Sequence, residues 1–275
     1  MKKVLPKKNV ILLILIISTF TKCQNPEVKK SHDVIDFNQI GIEHNKGLDY
    51  IFNELKSAKS NNTSGRTSTV ENLDVVTSSG TKFILTNYPD FPASSIAYLK
   101  KRAAKSNTFF KNYLSNKSIN SRDAYQILMD SMNAFLTANQ KFYIGKVFTT
   151  ITSGTDISQM KNDFSSIENN ARTNCSDNEL PVILASLSVA KSSAQYWHDN
   201  YDKWVAEFGN NQSGSRAVNW GVVGATDVAE ATTMAGGLWG LALVPGIGWG
   251  FAAGLTAGAS LIASGGSALI YAAAD

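Results

Sequence analysis

A mainly α-helical fold, a bundle followed by a C-terminal Gly/Ala-rich helical hairpin, is what three observations on this sequence predict. Apolar residues return at spacings of three and four through most of residues 40–208, the repeat of an amphipathic helix. Residues of capping type, such as Asp156 and the run "SDNELP", stand where those repeats begin. Finally, no Asp, Glu, Lys, Arg or His occurs in the 44 residues from Ala231 to Ala274, and Gly246, Gly250, Gly254 and Gly258 recur there at every fourth position.

The first element is not part of the bundle. "MKKVLPKKN" is a positive start, and "VILLILIISTF" is an apolar run of 11 residues, Val10 to Phe20. That layout is a secretory signal, and the run is short for a stable membrane span. "TKCQN" follows, with Cys23 at the position of a cleavage site. The arrangement resembles a bacterial lipoprotein signal, which implies that Cys23 is lipidated and heads the mature chain. Lys22 departs from the small residue usual there. Plain secretion with cleavage elsewhere, or an uncleaved anchor, stays open. Residues 1–22 are therefore assigned as signal peptide and 23–35 as a tether.

Helices follow from residue 36. Ile40, His44, Leu48, Phe52 and Leu55 form one stripe. The polar run "AKSNNTSGRTSTV" has no period and reads as a loop. "VVTSSGTKFILTNYPDFP" is compatible with a short strand hairpin or with two turns of helix. Ile96, Leu99, Ala103, Phe110 and Leu114 mark the next helix. Another is expected from a Ser121 cap to about Thr150, with Ala124, Met132, Phe135, Leu136 and Phe142 on its apolar side. Asp156 should cap a helix carrying Ile157, Met160, Phe164, Ile167 and Ala171. The last begins near Pro181, suited to a first turn, and carries Leu187, Ala190, Ala194, Trp197, Tyr201, Trp204 and Phe208. Joined by short loops, such helices make an α-helical domain over 36–208.

At "GNNQSGSR" the composition changes, since 14 of the chain's 20 glycines lie from Gly209 onward. Residues 209–219 read as a linker and 220–275 as a glycine-zipper hydrophobic hairpin. Glycine costs a water-exposed helix about 1 kcal/mol per residue. In lipid, where backbone groups must bond within the segment, helix is enforced and a glycine strip lets a second helix approach. Gly236 and Gly240 begin the same strip, and Pro245-Gly246 supplies a turn. Asp227 and Glu230 share a polar stripe with Thr226 and Thr233. Because a charge near a bilayer's middle costs at least ~2.5 kcal/mol, the start of this segment is expected at the interface or in water. Trp239, Trp249 and Tyr271 suit either interfacial anchors or core aromatics. The tail resembles the glycine-zipper hairpin of small envelope lipoproteins and the GxxxG-rich segment of unmodified bacteriocins. That likeness implies membrane lipid as a partner and self-association through the glycine face. The competing expectation is a hairpin buried in a protein core, which needs no lipid.

Charge excludes one class of partner. Five of 26 basic residues precede residue 23, leaving 21 basic against 22 acidic. A near-neutral remainder is not the basic face that nucleic acid requires. With Cys23 lipidated, Cys175 has no partner for a disulfide and is expected to be a small packed residue. The most site-like stretch is "IEHNKGLDY", with His44, Asn45 and Asp49; His44 lies on the apolar stripe and is expected to be a hydrogen-bonded core histidine. The pattern "IG-x-x-HN-x-x-LDYI" is similar to the start of uncharacterised secreted or lipid-anchored proteins of Bacteroidota-type bacteria, some ending in a glycine-rich tail; it implies no activity. In "QYWHDNYDKW", Asp202 is four residues beyond His198 and placed to orient its ring. Three histidines in all, His32 included, do not build a zinc site, and HExxH, GxSxG and P-loop motifs are absent. No cofactor or metal is expected. Two functions follow as expectations: a non-enzymatic exported protein that contacts membrane through its tail, or a helical binding or structural domain whose tail is its core.

Overall fold

The computed structural model describes residues 36–61, 68–115, 135–153, 156–209, 220–242 and 248–274. The signal segment, Cys23, the tether, Ser121 and its helix start, the linker from residue 210, Pro245 and Gly246 lie outside the described residues. So do the side chains of Trp239, Trp249 and Tyr271 and the surroundings of Gly240 and Gly250.

Among the described residues the protein is a bundle of eight helices with no strand. They are α1 (Asn38–Asn61), α2 (Thr69–Asn87), α3 (Ala93–Ser115), α4 (Ala138–Thr152), α5 (Ile157–Asn174), α6 (Leu180–Phe208), α7 (Trp220–Ala242) and α8 (Gly248–Ala274). The stretch left open between strand and helix is α2. Ser68 explains the choice: its hydroxyl accepts from the amide of Glu71, whose carboxylate accepts from the amide of Ser68, a complete capping box. Leu73, Val76, Phe83 and Ile84 then face inward at helical spacing.

α1, α5 and α6 follow the sequence pattern closely. Ile40, His44, Leu48, Phe52 and Leu55 are all buried on α1. Asp156 caps α5 by accepting from the amides of Ser158 and Gln159, and Met160, Phe164, Ile167 and Ala171 are its buried side. α4 differs. Thr137 caps it in a second capping box, with Gln140. Its buried side is Tyr143, Ile144, Val147, Phe148 and Ile151, one residue out of step with the expected stripe. Phe142 is accordingly 55% exposed, with the Lys146 ammonium 4.4 Å from its ring centre.

α1 and α6 meet along a seam of constant register. The amide of Gly41 donates to the Ser188 hydroxyl, Asn45 Nδ2 to the Ser192 carbonyl, and the Tyr196 hydroxyl to Asp49, at 3.0, 3.0 and 3.1 Å. Each partner is 147 residues away, so the two helices run parallel in step. Below the seam, edge-to-face pairs link Phe52, Trp204 and Phe208, and Trp197 with Trp204.

The expected boundary at Gly209 does not separate two bodies: residues from Asp36 to the C-terminus form one compact unit. α7 packs on α4, α6 and α8, while α8 packs on α1, α2, α3, α6 and α7. C-terminal glycines among the described residues are met by this bundle's own side chains. A β-carbon at Gly236 would lie 2.6 Å from the Phe135 ring, at Gly254 2.9 Å from Tyr88 and Phe91, and at Gly258 2.5 Å from Ile84. Reciprocally, Gly47 and Gly80 on the outer helices receive Leu261 and Ile262. Small residues thus alternate with large ones across each contact, the close packing that interiors require.

Candidate functional site

The polar groups of this interior collect around Asp227. The sequence places that acid in an apolar helix and suggests water or an interface for it; the structure buries it completely, and Glu230 is only 8% exposed. The expectation fails because other helices bring partners. From α6, the Ser193 hydroxyl and Trp197 Nε1 donate to Oδ2 of Asp227, the indole at 3.1 Å. Trp197 Nε1 also lies 3.1 Å from the Ser264 hydroxyl of α8. From α1, His44 Nε2 stands 3.5 Å from the same Oδ2. Two atoms at this centre, His44 Nε2 and Asp227 Oδ1, have no hydrogen-bond partner and no exposure.

Both titratable groups are pushed toward their neutral forms. Burial raises the Asp227 carboxyl to about 8, opposed by the hydrogen bonds from Ser193, Ser264 and Trp197. Burial lowers the His44 imidazole to about 4, opposed by its hydrogen bond to Asn45 Oδ1. An uncompensated charge sealed from water is costly, so a neutral pair is the stable arrangement.

Other polar pairs extend along α7. Arg102 Nη2 of α3 donates to Glu230 Oε2 at 2.5 Å, and the Ser106 hydroxyl reaches the other oxygen at 3.5 Å. The Ser186 and Thr232 hydroxyls are 2.8 Å apart between α6 and α7. Glu230 is therefore tied to α3, while Asp227 is tied to α6 and faces His44 of α1.

Of the residues singled out in the sequence, His44 and Asn45 belong to this centre, their Nδ1 and Oδ1 being 3.0 Å apart. Asp49 belongs to the α1–α6 seam. His198 is exposed, and its Nδ1 is 2.8 Å from Oδ1 of Asp199 rather than oriented by Asp202 through that atom. Cys175, at the C-cap of α5, is half-buried and packs against the core, with burial raising its thiol. Ser193, Trp197 and Ser264 were not legible as a site. Only the lone acid in an apolar helix signalled that partners had to exist.

No group of three or more His, Cys, Asp or Glu among the described residues is placed to hold a metal ion. A groove of about 550 Å³ runs between α2 and α3, lined by Asp74, Lys82, Lys100 and Asn107 among others. No residue of the buried centre lines it. No described helix is long and apolar enough to cross a membrane. The fold and this centre define an all-α bundle organised around a polar cluster shut away from solvent. No family model, curated protein or solved structure matches the chain.

Proposed function

We propose that this chain is a non-enzymatic, exported helical domain that acts as a binding or structural component of the cell envelope, with its glycine-rich C-terminal helices serving as its own core. Supporting this is the position of α7 and α8. Their described apolar surface is covered by α1, α2, α3, α4 and α6, and the two acids of α7 meet His44, Ser193, Trp197 and Arg102 of those helices. Of the glycines that the sequence offers for lipid or a second copy, the described Gly236, Gly254 and Gly258 face Phe135, Tyr88 with Phe91, and Ile84 of the same chain. Export rests on the N-terminal pattern, and a lipid on Cys23 remains part of this proposal.

Removing everything after Gly209 tests it. Loss of α7 and α8 takes away Val223, Val228, Ala229, Met234, Leu255, Leu261, Ile262 and Leu269, all buried. Each large one is worth roughly 1.5–3 kcal/mol of burial, so the sum exceeds the usual stability of a domain. Circular dichroism should show a truncated chain without a cooperative melt; a folded, cooperatively melting remnant would return the tail to the role of a separate module.

A second reading has one observation in its favour: 44 consecutive residues without Asp, Glu, Lys, Arg or His exceed what a single buried helix needs. Under it, α7 and α8 leave the bundle and meet lipid, and self-association through the glycine faces follows their release. Dye escape from vesicles of phosphatidylethanolamine and phosphatidylglycerol on adding the intact protein would favour this reading; sealed vesicles beside a fully folded protein would favour the first.

A further inference from the structure

We propose that His44 and Asp227 form a one-proton clasp between α1 and α7, in which a proton held between Oδ2 of Asp227 and Nε2 of His44 joins the two helices, and whose release in mildly alkaline solution loosens the bundle's hold on α7. This stands independently of the functional reading above.

The hydrogen bonds assign the proton. Asn45 Nδ2 donates to the Ser192 carbonyl, which can only accept, so the Asn45 oxygen is the atom facing His44. The imidazole must then donate from Nδ1, and in the neutral ring that burial favours its Nε2 presents a lone pair. That lone pair points at Oδ2 of Asp227, 3.5 Å away, with both side chains fully buried. If Asp227 were a carboxylate, a lone pair would face an anion in a space closed to water. One proton on the carboxyl converts that repulsion into a hydrogen bond, and a small rotation of the carboxyl shortens it. The Ser193 and Trp197 donors on the same oxygen hold the carboxyl in place. When the proton leaves to water, the carboxylate stays behind against Nε2.

Other charged and titratable groups around the clasp are accounted for. On α1, Asp49 accepts from Tyr196 of α6, whose phenol is raised first of all by burial and so stays neutral. On α7, Glu230 is paired with Arg102 of α3. α8 contributes only the Ser264 hydroxyl.

The consequence for pH is distinctive. A raised Asp227 contributes stability that is present at low pH and lost as pH climbs from 3.8 through about 8. A depressed His44 contributes stability that is present above 6.5 and lost as pH falls toward about 4. Between about 4 and 6.5 the two slopes cancel, because folded and unfolded chains each carry one proton on the pair, on Asp227 in one and on His44 in the other. Above 6.5 only the folded chain keeps it. The interval from 6.5 to about 8 corresponds to roughly a 30-fold rise in the unfolding constant.

Urea unfolding of the full chain across pH 4 to 9 tests the clasp, with two variants. Asp227→Asn imitates the protonated acid: with its amide nitrogen in the place of Oδ2 it donates to Nε2, the Ser193 hydroxyl turns to accept, and Trp197 Nε1 keeps the Ser264 hydroxyl. Wild type should be level in acid and weaken above 6.5. Asp227→Asn should do the reverse, level above 6.5 and weakening below it. His44→Gln should weaken continuously as pH rises and recover in acid. Infrared spectra of the wild type should also show a protonated carboxyl at neutral pH that Asp227→Asn lacks. Parallel pH profiles for wild type and Asp227→Asn, or no such carboxyl band, would overturn the proposal.

Discussion

α5 and α8 are of the same secondary structure but opposite design, and their difference explains why the tail misleads when read alone. α5 buries one stripe, Met160, Phe164, Ile167 and Ala171, and turns Asn162, Ser165, Ser166, Asn169 and Thr173 outward. α8 touches five other helices, and Leu255, Ala257, Leu261, Ile262, Ala263, Ser264, Ala268 and Leu269 are all buried. A helix enclosed on every side needs no polar face. Gly254, Gly258 and Gly265 are then no burden, because each is the space into which a neighbour's side chain fits. An uncharged, glycine-periodic segment therefore indicates that water is excluded; it does not say whether lipid or protein excludes it.

Inserting a lysine on each helix should break the comparison most sharply. Ala257→Lys sets an ammonium in a fully buried position of α8, within a cluster of apolar side chains. An unpaired buried charge destabilises by several kcal/mol, so no cooperative thermal transition should remain. Ser166→Lys on the outer side of α5 should change stability by less than about 0.5 kcal/mol. Denaturant titration of both proteins measures the contrast. Similar losses at the two sites would mean that α8 is not enclosed as described.

How much of this was legible beforehand follows the same division. The stripes of α1, α5 and α6 could be read because each has one wet face, and the alternation of wet and dry gives the 3.6-residue period. α4 was misread by one residue. Phe142 looks like a core residue, yet the capping box at Thr137 sets the helix's start and Tyr143 and Ile144 turn inward instead. α8 offers no alternation and α7 only a short polar stripe, and the partners of these two helices lie from 30 residues away, as Trp197 from Asp227, to 214, as Gly47 from Leu261. The stretch around His44 was recognisable as unusual. That its Gly41, Asn45 and Asp49 line a helix seam, while His44 turns to Asp227, depends on pairings at separations of 147 and 183 residues, which no local pattern carries.

The finest form of the comparison is between two glycines in equivalent local structure. Gly80 lies within α2 and faces α8; a β-carbon there would come within 2.4 Å of Ile262 Cγ1 and 2.8 Å of Leu261 Cδ1. Gly145 lies within α4, and a β-carbon there meets nothing within 4 Å. Alanine improves any helix interior by up to about 1 kcal/mol over glycine, so propensity alone favours both substitutions. At Gly80 the methyl must displace branched side chains wedged in the core, an overpacking cost of typically 1–3 kcal/mol that outweighs the helical gain. Gly80→Ala should therefore lower the melting temperature and Gly145→Ala raise it slightly. The sign at Gly80 is the informative result. Helices meeting lipid would leave the α2–α8 contact free to open by the width of a methyl, and both substitutions would then stabilise.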